Sequence, residues 1–254
     1  MTGRSRIREL AATVRRTAFV LGNTGKKKFH CPACGFRGPF RDLVMPTGVR
    51  RHAKCPRCDA LERHRFQIVA INRLLEGLNA SAMRMLHLAP EPCLRNIFAR
   101  RFGHYLTADL DSKGVDCFLD VQKMPFGDAR FDIVFASHVL EHVRDDARAL
   151  AELRRILGPE GIAILAVPIV AERTVEYSTP NPFESGHVRA PGLDYSDRYV
   201  QHFSRVENIT SESIPEEFQG FIYEDRSHWP TAECPLRPPM QGERHVDIVS
   251  ICYV

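Results

Sequence analysis

The sequence predicts a doubly wound α/β domain preceded by a small cysteine-based module, and two observations carry that prediction. From Met83 onward, short apolar runs alternate with amphipathic stretches of helical period, the pattern of a mostly parallel sheet covered on both faces. Before that point, four cysteines stand in two C-x2-C pairs, a spacing that can gather four thiolates on one ion. Composition agrees. The 254 residues are 44% hydrophobic and 26% charged, with 16 Gly and 17 Pro, which excludes a disordered or collagen-like chain. The expected units are a basic helix within 1–28, a zinc ribbon with its linking helix over 29–80, and a large domain over 81–254.

Taken in order, the first expected element is an amphipathic helix over 4–21. Ile7, Leu10, Val14 and Leu21 fall near one face, with Arg4, Arg8, Arg15 and Arg16 among the others. It reads as a helix packed on the body by its apolar stripe, or as an arm facing acidic lipid or phosphate. A second helix starts after Cys58, with Asp59 as its cap and Glu62 completing a capping-box-like pair. Ile68, Ile71, Leu75 and Leu78 give it one buried face. The boundary to the large domain falls at Gly77 to Ser81.

Strands are expected at Met85–Ala89, Tyr105–Asp109, Cys117–Asp120, Phe131–Ala136 and Gly161–Pro168. Leu94, Ile97, Phe98 and Phe102 mark the helix after the first strand, closed by Gly103. Leu150, Leu153 and Leu157 mark the one before the last, ended by Gly158-Pro159. Residues 194–204 form a further helix and His245–Val254 a closing strand. The stretches 171–192 and 224–244 read as long loops, with Trp229 as a lid residue or a packed one.

The cysteine pairs are Cys31/Cys34 and Cys55/Cys58. All four tetrahedral positions of a zinc ion are then filled by protein, which makes the metal structural, with no open position for water. The large apolar side chains of this module are few, and metal binding supplies folding energy in their place. Cys93, Cys117, Cys234 and Cys252 have no metal spacing and read as ordinary thiols. No run approaches the roughly 20 apolar residues of a membrane span, and the expected compartment is the cytoplasm, where thiols stay reduced.

Charge is divided unevenly. Residues 1–75 carry 17 Lys/Arg against 4 Asp/Glu, and the rest carries 18 against 27. The basic front end suits an anionic partner, either a nucleic acid or an acidic membrane surface. It carries no interleaved Tyr or Trp to stack bases.

In a doubly wound sheet the ligand sits at the carboxyl ends of the strands, at the switch point. There the sequence places Ala89-Pro90-Glu91-Pro92, Asp109, Asp120 and Ser137-His138. Asp109 lies 20 residues past Ala89, a spacing that suits an acid accepting from ribose hydroxyls.

Residues 83–168 resemble the core of a class I S-adenosylmethionine-dependent methyltransferase of the small-molecule type, with its Rossmann-like sheet. Phe131-Asp132-Ile133-Val134 followed by His138-Val139-Leu140-Glu141-His142-Val143 is similar to that family's fourth motif. Asp120-Val-Gln-Lys-Met-Pro125-Phe126 resembles its adenine-binding loop, and Leu157-Gly158-Pro159-Glu160-Gly161 its turn before the fifth strand. The resemblance implies Asp109 as the ribose acid with Leu110 beside the adenine. It implies Asp120 as acceptor from the adenine amino group with Val121 on the ring face, and Ser137 and His138 closing over the methionine part. The first motif departs from the family. His87 stands in the acid's place, and Ala89, Glu91 and Cys93 stand where glycines would. Leu88, Ala89 and Glu91 are then the expected first-loop contacts, Glu91 either pairing with the cofactor's ammonium group or capping the helix that Pro92 starts. Leu61-Glu62-Arg63-His64-Arg65, His87-Leu88-Ala89-Pro90-Glu91 and His187-Val188-Arg189 together resemble a subgroup that carries an upstream zinc ribbon.

Methyl transfer from a sulfonium is an in-line displacement, and a hydroxyl or ammonium acceptor also needs a base. His138 and His187 are the expected bases, with Glu141 and His142 on the following helix, where they could equally cap or pack. Arg189, Asp194 and Tyr195 are the expected acceptor-site residues, Arg189 suiting an anion. The expected activity is methyl transfer to a small-molecule or sugar-containing acceptor. Two alternatives stay open: an RNA methyltransferase holding its substrate with the zinc ribbon, and a scaffold that binds nucleic acid or protein without catalysis.

Overall fold

The computed structural model describes residues 13–45 and 47–254. The expected helix over 4–21 therefore lies partly outside the described residues. Residues 13–21 (α1) are helical, and the two stripe residues among them, Val14 and Leu21, are exposed.

The cysteine module is built from short strands. β1 (Phe29–His30) pairs antiparallel with β2 (Arg37–Gly38), and the turn between them carries Cys31 and Cys34. β3 (Arg41–Met45) pairs antiparallel with β4 (Gly48–Lys54), which runs into Cys55 and Cys58. α2 (Glu62–Leu74) follows. Asp59 does not cap it. Its backbone is in the left-handed region (φ 61°), and Leu61 holds the cap position with its N–H donating to His64 Nδ1 at 3.1 Å. Glu62 turns instead to Arg50.

The large domain runs β5 (Arg84–Leu88), α3 (Pro92–Arg101), β6 (His104–Asp109), β7 (Cys117–Phe118), β8 (Phe131–Ser137), α4 (Asp146–Ile156) and β9 (Leu157–Ala166). A hairpin, β10 (Val175–Asn181) with β11 (His187–Ala190), then occupies the stretch expected to be a loop. The expected helix at 194–204 is a run of 3-10 turns, Tyr195–Gln201. β12 (Arg205–Thr210), β13 (Ile222–Tyr223), β14 (Arg244–His245) and β15 (Ile248–Tyr253) complete the chain.

Seven strands form the central sheet in the order β12-β15-β9-β8-β5-β6-β7. Neighbours from β9 to β7 pair parallel, while β15 and β12 close one edge antiparallel. Side chains alternate across a strand, so a sheet covered on both faces needs apolar residues at odd and even positions alike. β8 shows this. Val134 and Ala136 join the core beneath Leu150 and Leu153 of α4, while Ile133 and Phe135 join the opposite core with Ile68 and Ile71 of α2 and Phe98 of α3. The helix leaving the cysteine module is thus one of the layers of the large domain.

A second connection ties the ends of the chain. β14-β13-β4-β3 is one four-stranded sheet, in which Tyr223 pairs with Arg51. The segment 224–244 packs around buried Trp229 with Val170, Tyr177 and Met240, so Trp229 is a core residue here. Its indole N–H donates to the Thr47 carbonyl at 3.2 Å.

Candidate active site

The parallel order reverses between β5 and β8, since β6 lies to one side of β5 and β8 to the other. A cavity of about 480 Å3 opens at the carboxyl ends of these strands, within the range of about 300–1,000 Å3 usual for small-molecule sites. Leu88, Ala89, Asp109, Leu110, Asp120, Val121 and His138 all line it.

Two sharp turns shape its floor. Ala89 (φ 47°) and His138 (φ 57°) both sit in the left-handed region, uncommon for residues with a Cβ and frequent at functional sites. Each is tied to the neighbouring strand: Ala89 N–H donates to the Ala108 carbonyl (2.8 Å) and His138 N–H to that of Ala166 (2.9 Å). The chain therefore makes the tight turn after β5 with alanine where the resembled family uses glycine.

Both acids of the cavity are oriented by their own loops. Asp109 Oδ1 accepts from the N–H groups of Asp111 and Ser112, each at 3.1 Å. Asp120 Oδ1 accepts from Gln122 N–H at 2.8 Å. Leu110, Leu119 and Val121 supply apolar wall between them. Two fixed carboxylates flanking an apolar slot match the needs of an adenosine: acceptors for hydroxyls and an amino group, with surface for a flat ring.

His87 is buried against Phe98 and Phe135, with Nδ1 2.7 Å from the Tyr105 hydroxyl. Burial holds its pKa down to about 3, so it is neutral and sits in the core, outside the cavity wall. Glu91 does not line the cavity either. It occupies the N-cap position of α3 without a capping hydrogen bond from its side chain. Its carboxylate meets Arg63, and its Oε2 lies 2.8 Å from His64 Nε2. Burial raises its pKa, but His64 and Arg63 outweigh that and hold it well below the usual carboxylate range. Ser137 is buried, and its Oγ accepts from Gln67 Nε2 at 2.8 Å. α2 thus holds the loops after β5 and β8, through Arg63, His64 and Gln67.

Beyond His138, the cavity wall includes His142 and Ser185. Glu141 is fully buried behind them, its Oε1 3.2 Å from His138 Nδ1. Burial raises the Glu141 carboxyl, but His138, with His187 and His142, brings it below its ordinary value. His187 does not line the cavity. Its ring stands edge-on to that of His142, centroids 4.6 Å apart.

The structure does not bring Arg189, Asp194 or Tyr195 to the cavity. Arg189 is buried and donates to the carbonyls of Leu140 (2.6 Å), Val143 (2.6 Å) and Arg144 (3.0 Å). Tyr195 donates to Asp146 at 2.7 Å, and Asp194 accepts from Thr174 N–H at 2.7 Å. Arg189 thereby fixes the segment that carries Glu141 and His142, Tyr195 the start of α4, and Asp194 the chain ahead of β10.

The four cysteines converge. Cys31 and Cys58 sulfurs are 3.6 Å apart, and Cys34 and Cys55 sulfurs 3.7 Å. Zinc–sulfur bonds of about 2.3 Å in a tetrahedron place sulfurs about 3.8 Å apart, so these residues fit that ion. The thiols alone share their protons: Cys55 is held low as acceptor from Cys31 and Cys58, while Cys31 is pushed up to about 12, chiefly by its bond to Cys55. Four thiolates at this distance need a cation between them.

Part of the charge division described above is met by ion pairs between the two halves. Lys27 pairs with Glu216 (3.1 Å), Arg37 with Glu217 (3.3 Å) and Arg51 with Glu243. Arg65 is buried and donates to carbonyls of Ala53, Ala60, Phe218 and Gln219. Cations of the cysteine module thus face acids of the C-terminal segment.

Residues 95–165 match the family described as a methyltransferase domain. Among solved structures, the fold is similar to an S-adenosylmethionine-dependent methyltransferase from Mesorhizobium loti, at 17% identity and a TM-score of 0.50, over 74% of this chain and 97% of that one. The YcgJ protein of Bacillus subtilis is 14% identical with a TM-score of 0.45, over 75% of this chain and 98% of that one. A curated relative, described as an uncharacterized 37.1 kDa protein in transposon TN4556 of Streptomyces fradiae, is 32% identical over 83 residues. That match covers 33% of this chain and spans only 20% of the relative's length.

The matched stretch and the sheet order together give this chain the fold of the methyltransferase domains it is similar to. Two features are particular to this chain: the turn after β5 is made by alanine at positive φ, and the loops lining the cavity are held by a helix that leaves the four-cysteine module.

Proposed function

We propose that the chain transfers the methyl group of S-adenosylmethionine to a hydroxyl of a small-molecule or sugar-containing acceptor. One observation carries the reading: the two oriented acids Asp109 and Asp120 and the ring of His138 line one cavity at the switch point. Asp109 and Asp120 would hold the adenosine, which leaves the reactive sulfonium toward the His138 side. The cofactor supplies an electrophilic methyl carbon. The protein's contribution is to align the acceptor oxygen behind that carbon, exclude water, and accept the hydroxyl proton on His138.

In the same proposal the cysteine module carries a structural zinc ion on Cys31, Cys34, Cys55 and Cys58. Its influence on the site is mechanical, through Arg63, His64 and Gln67 on α2. The ion pairs that Lys27, Arg37 and Arg51 make at the surface with acids of the C-terminal segment support this role over that of a nucleic-acid platform. Calorimetric titration of the zinc-loaded chain with S-adenosylhomocysteine tests the proposal. Saturable binding that Asp120→Ala weakens is expected, and heats no larger than dilution at millimolar ligand overturn it.

A further inference from the structure

Glu141 poses a problem that methyl-donor binding leaves unanswered. Its side chain is fully buried, yet neither carboxylate oxygen has a hydrogen-bond partner. Buried ionised carboxylates are stable only when paired or bound to a cation. His138 approaches Oε1 without hydrogen-bond geometry, and Oε2 has nothing. Around this carboxylate stand His142 and His187, and one donor atom from each of the three residues lies within 4.8 Å of the others.

We infer that Glu141, His142 and His187 hold a divalent metal ion at the edge of the cofactor cavity, where it takes the hydroxyl oxygen of the acceptor. Two imidazoles and a carboxylate are the donor set that binds divalent first-row ions while leaving open positions. A carboxylate stands beside His187, where metal-binding imidazoles commonly have one: Glu184 Oε2 lies 3.5 Å from its Nδ1, outside hydrogen-bond geometry, and Glu184 is itself held by Arg237 (2.9 Å) and the Tyr177 hydroxyl (3.1 Å). The segment bearing Glu141 and His142 is pinned by Arg189, whose guanidinium takes the Leu140 and Val143 carbonyls. His142 also lines the cavity, so the ion borders the space left for the acceptor.

The role given to the ion rests on the methyl-transfer reading; its binding does not. On the ion, the acceptor hydroxyl becomes more acidic and gives its proton to His138. Its oxygen forms a bond to the methyl carbon as the carbon–sulfur bond breaks, and that bond's electron pair stays on sulfur as the thioether. The proton leaves His138 to solvent, and no oxidant or reductant is involved.

The test uses the full chain with zinc on its four cysteines, titrated with manganese(II) and, separately, with zinc(II). One ion per chain beyond the cysteine-bound zinc is expected. Glu141→Gln and, at the exposed position, His142→Ala each weaken it at least tenfold and leave the cysteine-bound zinc at one per chain. Absence of a second ion with either metal at millimolar concentration, or equal affinity in wild type and both variants, overturns the inference. S-adenosylhomocysteine is titrated into the same samples. Cofactor binding without a second ion removes the metal site and leaves methyl transfer standing; a second ion without cofactor binding does the reverse.

Discussion

His64 Nε2 lies 2.8 Å from Glu91 Oε2, joining the helix that leaves the cysteine module to the loop that shapes the cofactor cavity. His64 Nδ1 accepts from the Leu61 N–H, which leaves the ring proton of the neutral imidazole on Nε2, the nitrogen beside the carboxylate. Arg63 pairs with the other oxygen. A carboxylate already neutralised in this way is a poor partner for a cofactor's ammonium group, and its work is to fix the Ala89 turn.

That assignment gives Glu91 a stability effect with a defined pH window. Its folded pKa lies below the unfolded one, so its stabilisation is full above the unfolded value of about 4.3 and declines as pH falls toward the folded value. Glu91→Gln is expected to lower the unfolding free energy by about 2 kcal/mol at pH 7, the scale of a charge-assisted hydrogen bond. Urea titrations at pH 7 and in acid should show the gap to wild type closing as pH falls. A gap that is equal throughout contradicts the ion-pair account.

His87 contributes in the same direction for another reason. Burial keeps it neutral down to about pH 3, whereas the unfolded chain takes up the proton near pH 6.5. Stability is therefore unaffected above pH 6.5 and falls between 6.5 and about 3, with a slope of up to about 1.4 kcal/mol per pH unit. His87→Phe should flatten the melting temperature's decline over that interval. An unchanged slope would show that His87 is not the group responsible.

Loss of the zinc proposed on the four cysteines should be felt at a distance. Cys58→Ser, or dialysis against a strong chelator, is expected to lower the melting temperature. It should also weaken S-adenosylhomocysteine binding, because α2 loses its anchored start and with it the hold of Gln67 on Ser137. Cofactor affinity that survives complete zinc loss would confine the module to a role apart from the site.

His138→Gln separates chemistry from binding. Loss of a base slows transfer by about 10² to 10⁴-fold, while the contacts proposed for adenosine at Asp109 and Asp120 remain. Steady-state rates with a methylatable acceptor, set beside cofactor affinities, should show kcat falling and affinity moving only a few-fold. Equal losses in both would make His138 a cofactor contact alone.

The sheet was legible because both faces of it are buried: Phe131–Ala136 reads as a nearly continuous apolar strand, broken only by Asp132, and it is a strand buried at all positions but that one. Asp109 and Asp120 were legible because strand ends at a switch point follow from topology. The cysteine quartet was legible from spacing alone. Less could be read where partners are far apart in sequence. Arg63 and Glu91 are 28 residues apart, and Gln67 and Ser137 are 70 apart; no local period records either contact. Arg189 carried a charge that suggested an anionic acceptor, but three backbone carbonyls take its guanidinium inside the fold. The uneven charge of the two halves suggested an anionic partner but gave no sign of the exposed ion pairs Lys27–Glu216 and Arg37–Glu217 that join the halves to each other. Adjacent Glu141 and His142 gave no sign that β11 would bring His187 beside them.

The central claim is that Asp109 and the turn it faces hold the adenosine of a methyl donor. Calorimetric titration of S-adenosylhomocysteine into wild type and Asp109→Ala tests it most directly. Saturable binding in wild type, weakened at least tenfold in the variant with an unchanged apo melting temperature, is the predicted result, on the scale of about 1.5–3 kcal/mol for hydrogen bonds to a charged acceptor. Equal affinity in the two proteins, or none in either at millimolar ligand, would contradict it.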